Sequence, residues 1–152
     1  PLQIANMISI IANDGIRKNI GLVNGLLSRN GELIQDLRAK GQETRVLSPE
    51  VARELREWMK SVTKYGTGVG AYSYSIGGTA GKTGTPQIAG DPNAKYYGWF
   101  AGFFPADQPR YVIVILSREE SSGGARAATI FKETAEAIHN YTQKLEKLQF
   151  TY

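Results

Sequence analysis

Two runs of aromatic and β-branched residues, Tyr97 to Phe104 and Tyr111 to Leu116, are separated by Pro105-Ala106-Asp107-Gln108-Pro109. A short link rich in turn formers between two β-prone runs predicts adjacent antiparallel strands. Gly123-Gly124 then leads into a pattern with Ala127, Ile130, Phe131, Ala135, Ile138, Tyr141 and Leu145 on one helical face, which predicts a covering helix over 125 to 146. Strands followed by a helix that packs across them imply an α+β chain with a largely antiparallel sheet.

The region before residue 66 is read as a helical and hairpin portion. Leu2, Ala5, Ile8 and Ala12, flanked by Ile4, Met7 and Ile11, repeat at helical spacing until Asn13-Asp14-Gly15, so a mostly apolar helix opens the chain. Short β-prone runs between Asn19 and Leu37, punctuated by Asn24-Gly25 and Asn30-Gly31, predict a hairpin, with the second dipeptide suited to a two-residue turn. Ser48-Pro49-Glu50 combines a capping hydroxyl, a first-turn proline and an acid near the positive end of the helix dipole. The apolar residues Val51, Leu55, Trp58, Met59 and Val62 follow, and Gly66 ends a helix expected from about 49 to 64.

Gly66 to Gly84 reads as a glycine-rich loop entering a third strand, and it carries the densest chemical signal, Gly81-Lys82-Thr83-Gly84-Thr85. A phosphate-binding loop needs a glycine, four intervening residues and then Gly-Lys-Ser/Thr, with a helix directly after it. Here that position is Ile76, Gly77 leaves one residue too few, and Thr85-Pro86-Gln87 with Gly90-Asp91-Pro92 cannot start a helix. The other reading is a strand that lines a site. A lysine ammonium there supplies a fixed charge for a carboxylate, and threonine hydroxyls add directional hydrogen bonds. A glycine without Cβ lets an extended peptide approach the strand edge.

The neighbouring residues give this strand a context. Pro1-Leu2-Gln3-Ile4-Ala5-Asn6, Ile11-Ala12-Asn13-Asp14-Gly15, Lys64-Tyr65-Gly66-Thr67-Gly68, Gly78 to Thr85, Gly98-Trp99-Phe100-Ala101-Gly102-Phe103-Phe104-Pro105 and Tyr111 to Leu116 occur in the order and spacing of one family. In these segments the chain resembles the C-terminal half of the transpeptidase domain of high-molecular-weight penicillin-binding proteins, whose third motif is the Lys-Thr-Gly box. The resemblance implies part of a serine β-lactamase/transpeptidase-like fold and a D,D-transpeptidase that cross-links peptidoglycan stem peptides and is acylated by β-lactams. Lys82 would provide the active-site charge. Thr83, Gly84 and Thr85 would line the site, the two threonines holding the carboxylate of a D-Ala-D-Ala terminus or a penicillin, with the Thr85 N–H in the oxyanion hole. No cofactor or metal is implied. A β-lactam-sensing module without synthetic activity is the second reading, and a structural role is a third if the remainder of the domain is degenerate.

That family also needs a Ser-x-x-Lys box with the nucleophile and a Ser-x-Asn box, both before the Lys-Thr-Gly strand. Ser61-Val62-Thr63-Lys64 and Ser28-Arg29-Asn30 match the patterns, but in reversed order. Ser61 falls in the last turn of its predicted helix, whereas an activated serine belongs near a helix N-terminus. Ser28 precedes a hairpin turn that already explains Asn30-Gly31. We therefore expect residues 1–152 to be the C-terminal half of the domain, with the N-terminal half and its two serine boxes as partner, and to form no acyl-enzyme alone. Pro1 leads straight into a helical pattern, which reads like a cut through a larger protein. An anchor upstream would place it on the outer face of the cytoplasmic membrane. Homodimerisation through uncovered apolar surface is a further expectation.

Other features carry weaker signals. The net charge of +4 arises from basic residues interleaved with acids, as between Lys132 and Lys147, which describes a solvated helix face rather than a nucleic-acid site. With no cysteine, disulfides and thiolate metal sites are excluded. No apolar run reaches the roughly 18 residues of a membrane span. His139 reads as a surface histidine. Trp99, Phe100, Phe103 and Phe104 read as core on both faces of a covered sheet, and Glu119-Glu120 lacks further metal ligands. Tyr72 and Tyr74 receive no role.

Overall fold

The computed structural model describes residues 1–38, 43–86, 96–119 and 124–149. Helix α1 spans Leu2–Ala12, and two residues of β1, Ile16–Arg17, pair antiparallel with β4, Thr44–Arg45. Between them β2, Gly25–Leu27, and β3, Leu33–Asp36, form the expected hairpin. Helix α2 covers Pro49–Tyr65; a 3-10 turn at Val69–Ala71 leads to β5, Ala80–Gly84, then β6, Tyr96–Phe104, β7, Tyr111–Glu119, and helix α3, Ala125–Gln149. The main sheet is antiparallel in the order β5-β6-β7, so β5 lies at an edge. The short β1/β4 pairing was not legible: two residues per strand leave no period to read.

The sheet has two differently dressed faces because side chains alternate along each strand. Phe100 and Phe104 of β6 point to the face covered by α3, where they pack with Ala127, Ala128, Phe131 and Ala135. The Phe100 and Phe131 ring centroids are 4.6 Å apart and tilted by 57°. Burying each such ring contributes about 1.5–3 kcal/mol, so this seam fixes α3 across the sheet. On the opposite face Ala80, Ala101 and Phe103 pack with Ile8 of α1 and Met59 of α2.

Three expected faces differ in detail. In α2 the buried residues are Ala52, Met59 and Thr63, while Val51 and Trp58 are exposed. The helix is rotated by about one residue because Thr63 donates into the sheet, its Oγ1 lying 2.7 Å from the Thr79 carbonyl. In α3 Tyr141 and Leu145 are exposed, since the helix continues beyond the sheet residues it packs on. Trp99 is only half-buried.

The hairpin turn is longer than Asn30-Gly31 suggested. Ser28 N–H donates to the Glu32 carbonyl at 2.8 Å and Gly31 N–H to the Ser28 carbonyl at 3.0 Å, with Gly31 at φ +84° and Asn30 not left-handed. This is a three-residue loop in which a turn is followed by one left-handed glycine. The Ser28 hydroxyl decides it by accepting from the N–H groups of Asn30 and Glu32, at 3.3 and 3.1 Å.

One ion pair ties α2 to the β6–β7 link. Lys60 Nζ, mostly buried, lies 2.7 Å from Glu57 and 2.5 Å from Asp107. Its partial burial alone would lower the Lys60 pKa, but the bonds to Asp107 and Glu57 outweigh it and the net shift is upward. The hydrogen bond from Lys60 holds Asp107 below the ordinary carboxylate value. A depressed acid stabilises the fold above its unfolded pKa, about 3.9, and that contribution is lost as pH falls through the lower folded value. The raised lysine contributes below its unfolded pKa, about 10.4, and that share fades as pH rises through the folded value. Because the Asp107 side chain is 82% exposed, screening keeps the pair at or below ~1 kcal/mol. Asp107→Asn is accordingly expected to lower the melting temperature slightly at pH 7 and to match the parent sequence once pH falls below the depressed folded value of Asp107, as thermal melts across pH would register.

Candidate functional site

β5 is assembled from its N-terminal end by buried threonines. Thr63 approaches the Thr79 carbonyl, and Thr79 Oγ1 donates to the Ala71 carbonyl at 2.9 Å. Next comes a glycine pair, Gly81 directly opposite Gly102. A Cβ at Gly81 would stand 2.4 Å from the Phe100 ring, and one at Gly102 would stand 2.3 Å from the Ala80 carbonyl oxygen. The Phe100 ring thus lies over bare backbone, and this close packing positions the strand immediately before Lys82.

Lys82 pairs with Ala101, Thr83 with Phe100 and Gly84 with Trp99. Cross-strand partners share a face, so Lys82 stands on the α1/α2 side and Thr83 on the α3 side. The Lys82 side chain folds across the strand edge, its Nζ donating to the Thr83 carbonyl at 2.8 Å and lying 3.4 Å from Thr83 Oγ1. Thr83 Oγ1 is also 2.7 Å from Thr67 Oγ1. The N-terminal end of α3 closes on the same place: a Cβ on Gly124 would stand 3.5 Å from the Gly84 carbonyl and 3.6 Å from the Thr83 Cβ. Lys82 is exposed, and Thr83, Gly84 and Thr85 are half-buried.

An ammonium and two threonine hydroxyls therefore converge at a sheet edge, an arrangement that can hold a carboxylate. Lys82 and Thr83 lie inside a strand rather than at a helix N-terminus, which disposes of the phosphate-loop reading; Gln87, Gly90, Asp91 and Pro92 lie outside the described residues. The α1/α2 face of the sheet is sealed at Ala80 and Phe103 but open at the Lys82 end, where Trp99 is half-buried and Leu116 is 43% exposed.

The serine patterns do not join this cluster. Ser61 Oγ donates back to the Glu57 carbonyl at 3.0 Å within its own helix, and Ser28 is occupied by the hairpin turn. His139 is half-buried in α3. Among the described residues no group of three or more His, Asp or Glu could hold a metal, and no helix is long and apolar enough to cross a membrane; Glu120 and Gly123 lie outside them. A cleft of about 630 Å³ between Lys60, Lys64, Tyr72, Tyr74, Thr79 and Asp107 sits at the entry to β5. Lys82 does not line it and lies toward the other end of the strand. Sequence reasoning missed Thr67, whose contact with Thr83 spans 16 positions and leaves no local signal.

Residues 1–136 match the family described as penicillin binding protein transpeptidase domain. The chain is 38% identical to penicillin-binding protein PbpB of Mycolicibacterium smegmatis, an alignment covering 88% of the chain and 23% of the relative. It is 34% identical to peptidoglycan D,D-transpeptidase PbpA of the same organism, over 90% of the chain and 28% of the relative. It thus spans about a quarter of the length of these relatives. Among solved structures, the apo form of penicillin binding protein 3 from Mycobacterium tuberculosis superposes with a TM-score of 0.76 at 29% identity, covering 93% of this chain and 35% of that one. The imipenem acyl-enzyme complex of penicillin-binding protein A from the same species gives 0.74 at 31%, covering 91% and 30%.

Proposed function

We propose, because this chain belongs to the penicillin-binding protein transpeptidase family, that it supplies the carboxylate and oxyanion wall of a D,D-transpeptidase whose nucleophilic serine lies in another part of the same protein. The observation that carries this reading is the sheet edge itself. Lys82 is exposed on an edge strand, Thr83 beside it, at the end where the apolar sheet face is uncovered. The N-terminal half of the domain, with the Ser-x-x-Lys and Ser-x-Asn boxes, is the segment suited to cover Trp99 and Leu116 and bring a serine to Lys82.

In this reading a stem peptide ending in D-Ala-D-Ala lies along the free edge of β5, adding main-chain hydrogen bonds to those of the sheet. The Lys82 ammonium and the hydroxyls of Thr83 and Thr85 hold its terminal carboxylate. The Thr85 N–H, just beyond Gly84, donates to the oxygen that becomes negative as serine adds to the carbonyl. A β-lactam carries its carboxylate and strained carbonyl in a comparable relation and occupies the same wall. The parent would act at the outer face of the cytoplasmic membrane, where peptidoglycan is built. A β-lactam sensor would use the same wall without consuming a stem-peptide analogue, so turnover of such an analogue by the parent protein separates the two.

The direct check is labelling with a fluorescent penicillin. The 152-residue chain alone is expected to remain unlabelled while the parent protein is labelled; a covalent adduct on any serine of the isolated chain would sink the proposal. Size measurements on the isolated chain show in addition whether two copies cover each other's exposed sheet end.

A further inference from the structure

We propose that Thr67 is a positioning residue for the carboxylate site, setting the direction in which Thr83 presents its hydroxyl proton. The inference rests on the reading of β5 as a carboxylate wall and extends it to a residue on a different segment. Thr67 is held in a short turn anchored on both sides. The N–H groups of Gly66 and Gly68 each reach the Val62 carbonyl at 3.1 Å, and the Gly68 Cα is so close to the core that a Cβ would stand 3.1 Å from both Phe100 and Val62. The backbone therefore places the Thr67 side chain, and its Oγ1 lies 2.7 Å from Thr83 Oγ1.

The bookkeeping of one hydroxyl explains what this contact does. Thr83 Oγ1 has one proton and two lone pairs. The Lys82 ammonium, 3.4 Å away, is donor-only, so it faces a lone pair of that oxygen. A bound carboxylate is acceptor-only and requires the Thr83 proton to point at it. Both demands are met together when Thr67 donates to the remaining lone pair. Without Thr67 the Thr83 proton is free to turn toward other acceptors, and the carboxylate loses an oriented donor. Sequential donation from Thr67 to Thr83 to carboxylate also polarises each bond in the chain.

The test uses the parent protein, benzylpenicillin and the second-order rate of acylation. Thr67→Val keeps the shape and removes the hydroxyl; it is expected to slow acylation by about 5- to 20-fold. Thr67→Ser should restore most of the rate, and Thr67→Val added to Thr83→Val should cost little more than Thr83→Val alone, since the two act through one hydroxyl. Unchanged acylation in Thr67→Val overturns the inference. So does an equal loss in Thr67→Ser, which would mark a packing role, or full additivity with Thr83→Val. Lys82→Ala separates this from the underlying reading: if Lys82→Ala leaves acylation intact, the carboxylate wall itself is misassigned, whereas a slow Lys82→Ala beside a normal Thr67→Val removes Thr67 alone.

Discussion

Lys82→Ala in the parent protein is expected to slow acylation by a penicillin roughly 30- to 1,000-fold, equivalent to about 2–4 kcal/mol for truncating one partner of a hydrogen-bonded charge pair. The effect should be large because the lysine has no packing role to share the loss. It is exposed, and among the described residues its Nζ reaches the Thr83 carbonyl and, more distantly, the Thr83 hydroxyl. For the same reason the melting temperature of the variant should stay within a degree or two of the parent, as expected for a surface substitution within about ±0.5 kcal/mol. Stopped-flow acylation kinetics alongside a thermal melt check both halves. A stable protein with a normal acylation rate would remove Lys82 from the site.

Gly102→Ala is expected to do the reverse and damage the fold. Its Cβ would stand 2.3 Å from the Ala80 carbonyl oxygen and 3.0 Å from the Gly81 Cα. These are backbone atoms of a paired strand, so no rotamer change can relieve the clash and β5 must move away from β6. Overpacking of this kind costs about 1–3 kcal/mol when side chains can adjust, and more when only backbone can yield. A loss of at least 3 kcal/mol, or failure to give soluble protein, is the expected outcome. Gly81→Ala meets the Phe100 ring at 2.4 Å and the Ala101 carbonyl at 2.9 Å, so its cost is of the same kind, with some relief if the ring tilts. A Gly102→Ala protein with unchanged unfolding in denaturant would contradict the close β5–β6 packing described here.

How much was legible before the fold was known follows from where each signal resides. Strong local patterns came through: the cap and proline at Ser48-Pro49 start α2 as expected, with the Ser48 Oγ accepting from Val51 N–H at 3.4 Å, and the runs around Trp99 and Ile113 became paired strands. The rotation of α2 was hidden because it depends on a tertiary hydrogen bond from Thr63 to Thr79. An apolar pattern alone favoured Trp58 over a threonine. Likewise, Asn30-Gly31 suggested the shortest hairpin loop, and the Ser28 hydroxyl lengthened it.

At the candidate site, Lys82, Thr83, Gly84 and Thr85 could be named because ammonium, hydroxyl and glycine are the groups expected of an edge strand that would hold a carboxylate, and the fold places the first three on β5 at a sheet edge. The glycines proved more informative than a motif suggests. Gly81 is needed for the Phe100 ring and Gly102 for the Ala80 carbonyl, so the glycines beside Lys82 are a packing solution for the β5–β6 pair. Thr67 and Gly124 could not be read, since they approach Thr83 from two separate segments and only the folded chain brings them together.

In the proposed function this chain holds the carboxylate wall and the nucleophile belongs to the rest of the protein. A crystal structure of the parent protein acylated by a penicillin tests that claim most directly. The account predicts an ester to a serine outside residues 1–152, with the antibiotic's carboxylate within hydrogen-bond distance of the Thr83 and Thr85 hydroxyls and the Lys82 ammonium beside it. An ester on Ser61 or Ser28, or a carboxylate bound away from β5, would contradict it.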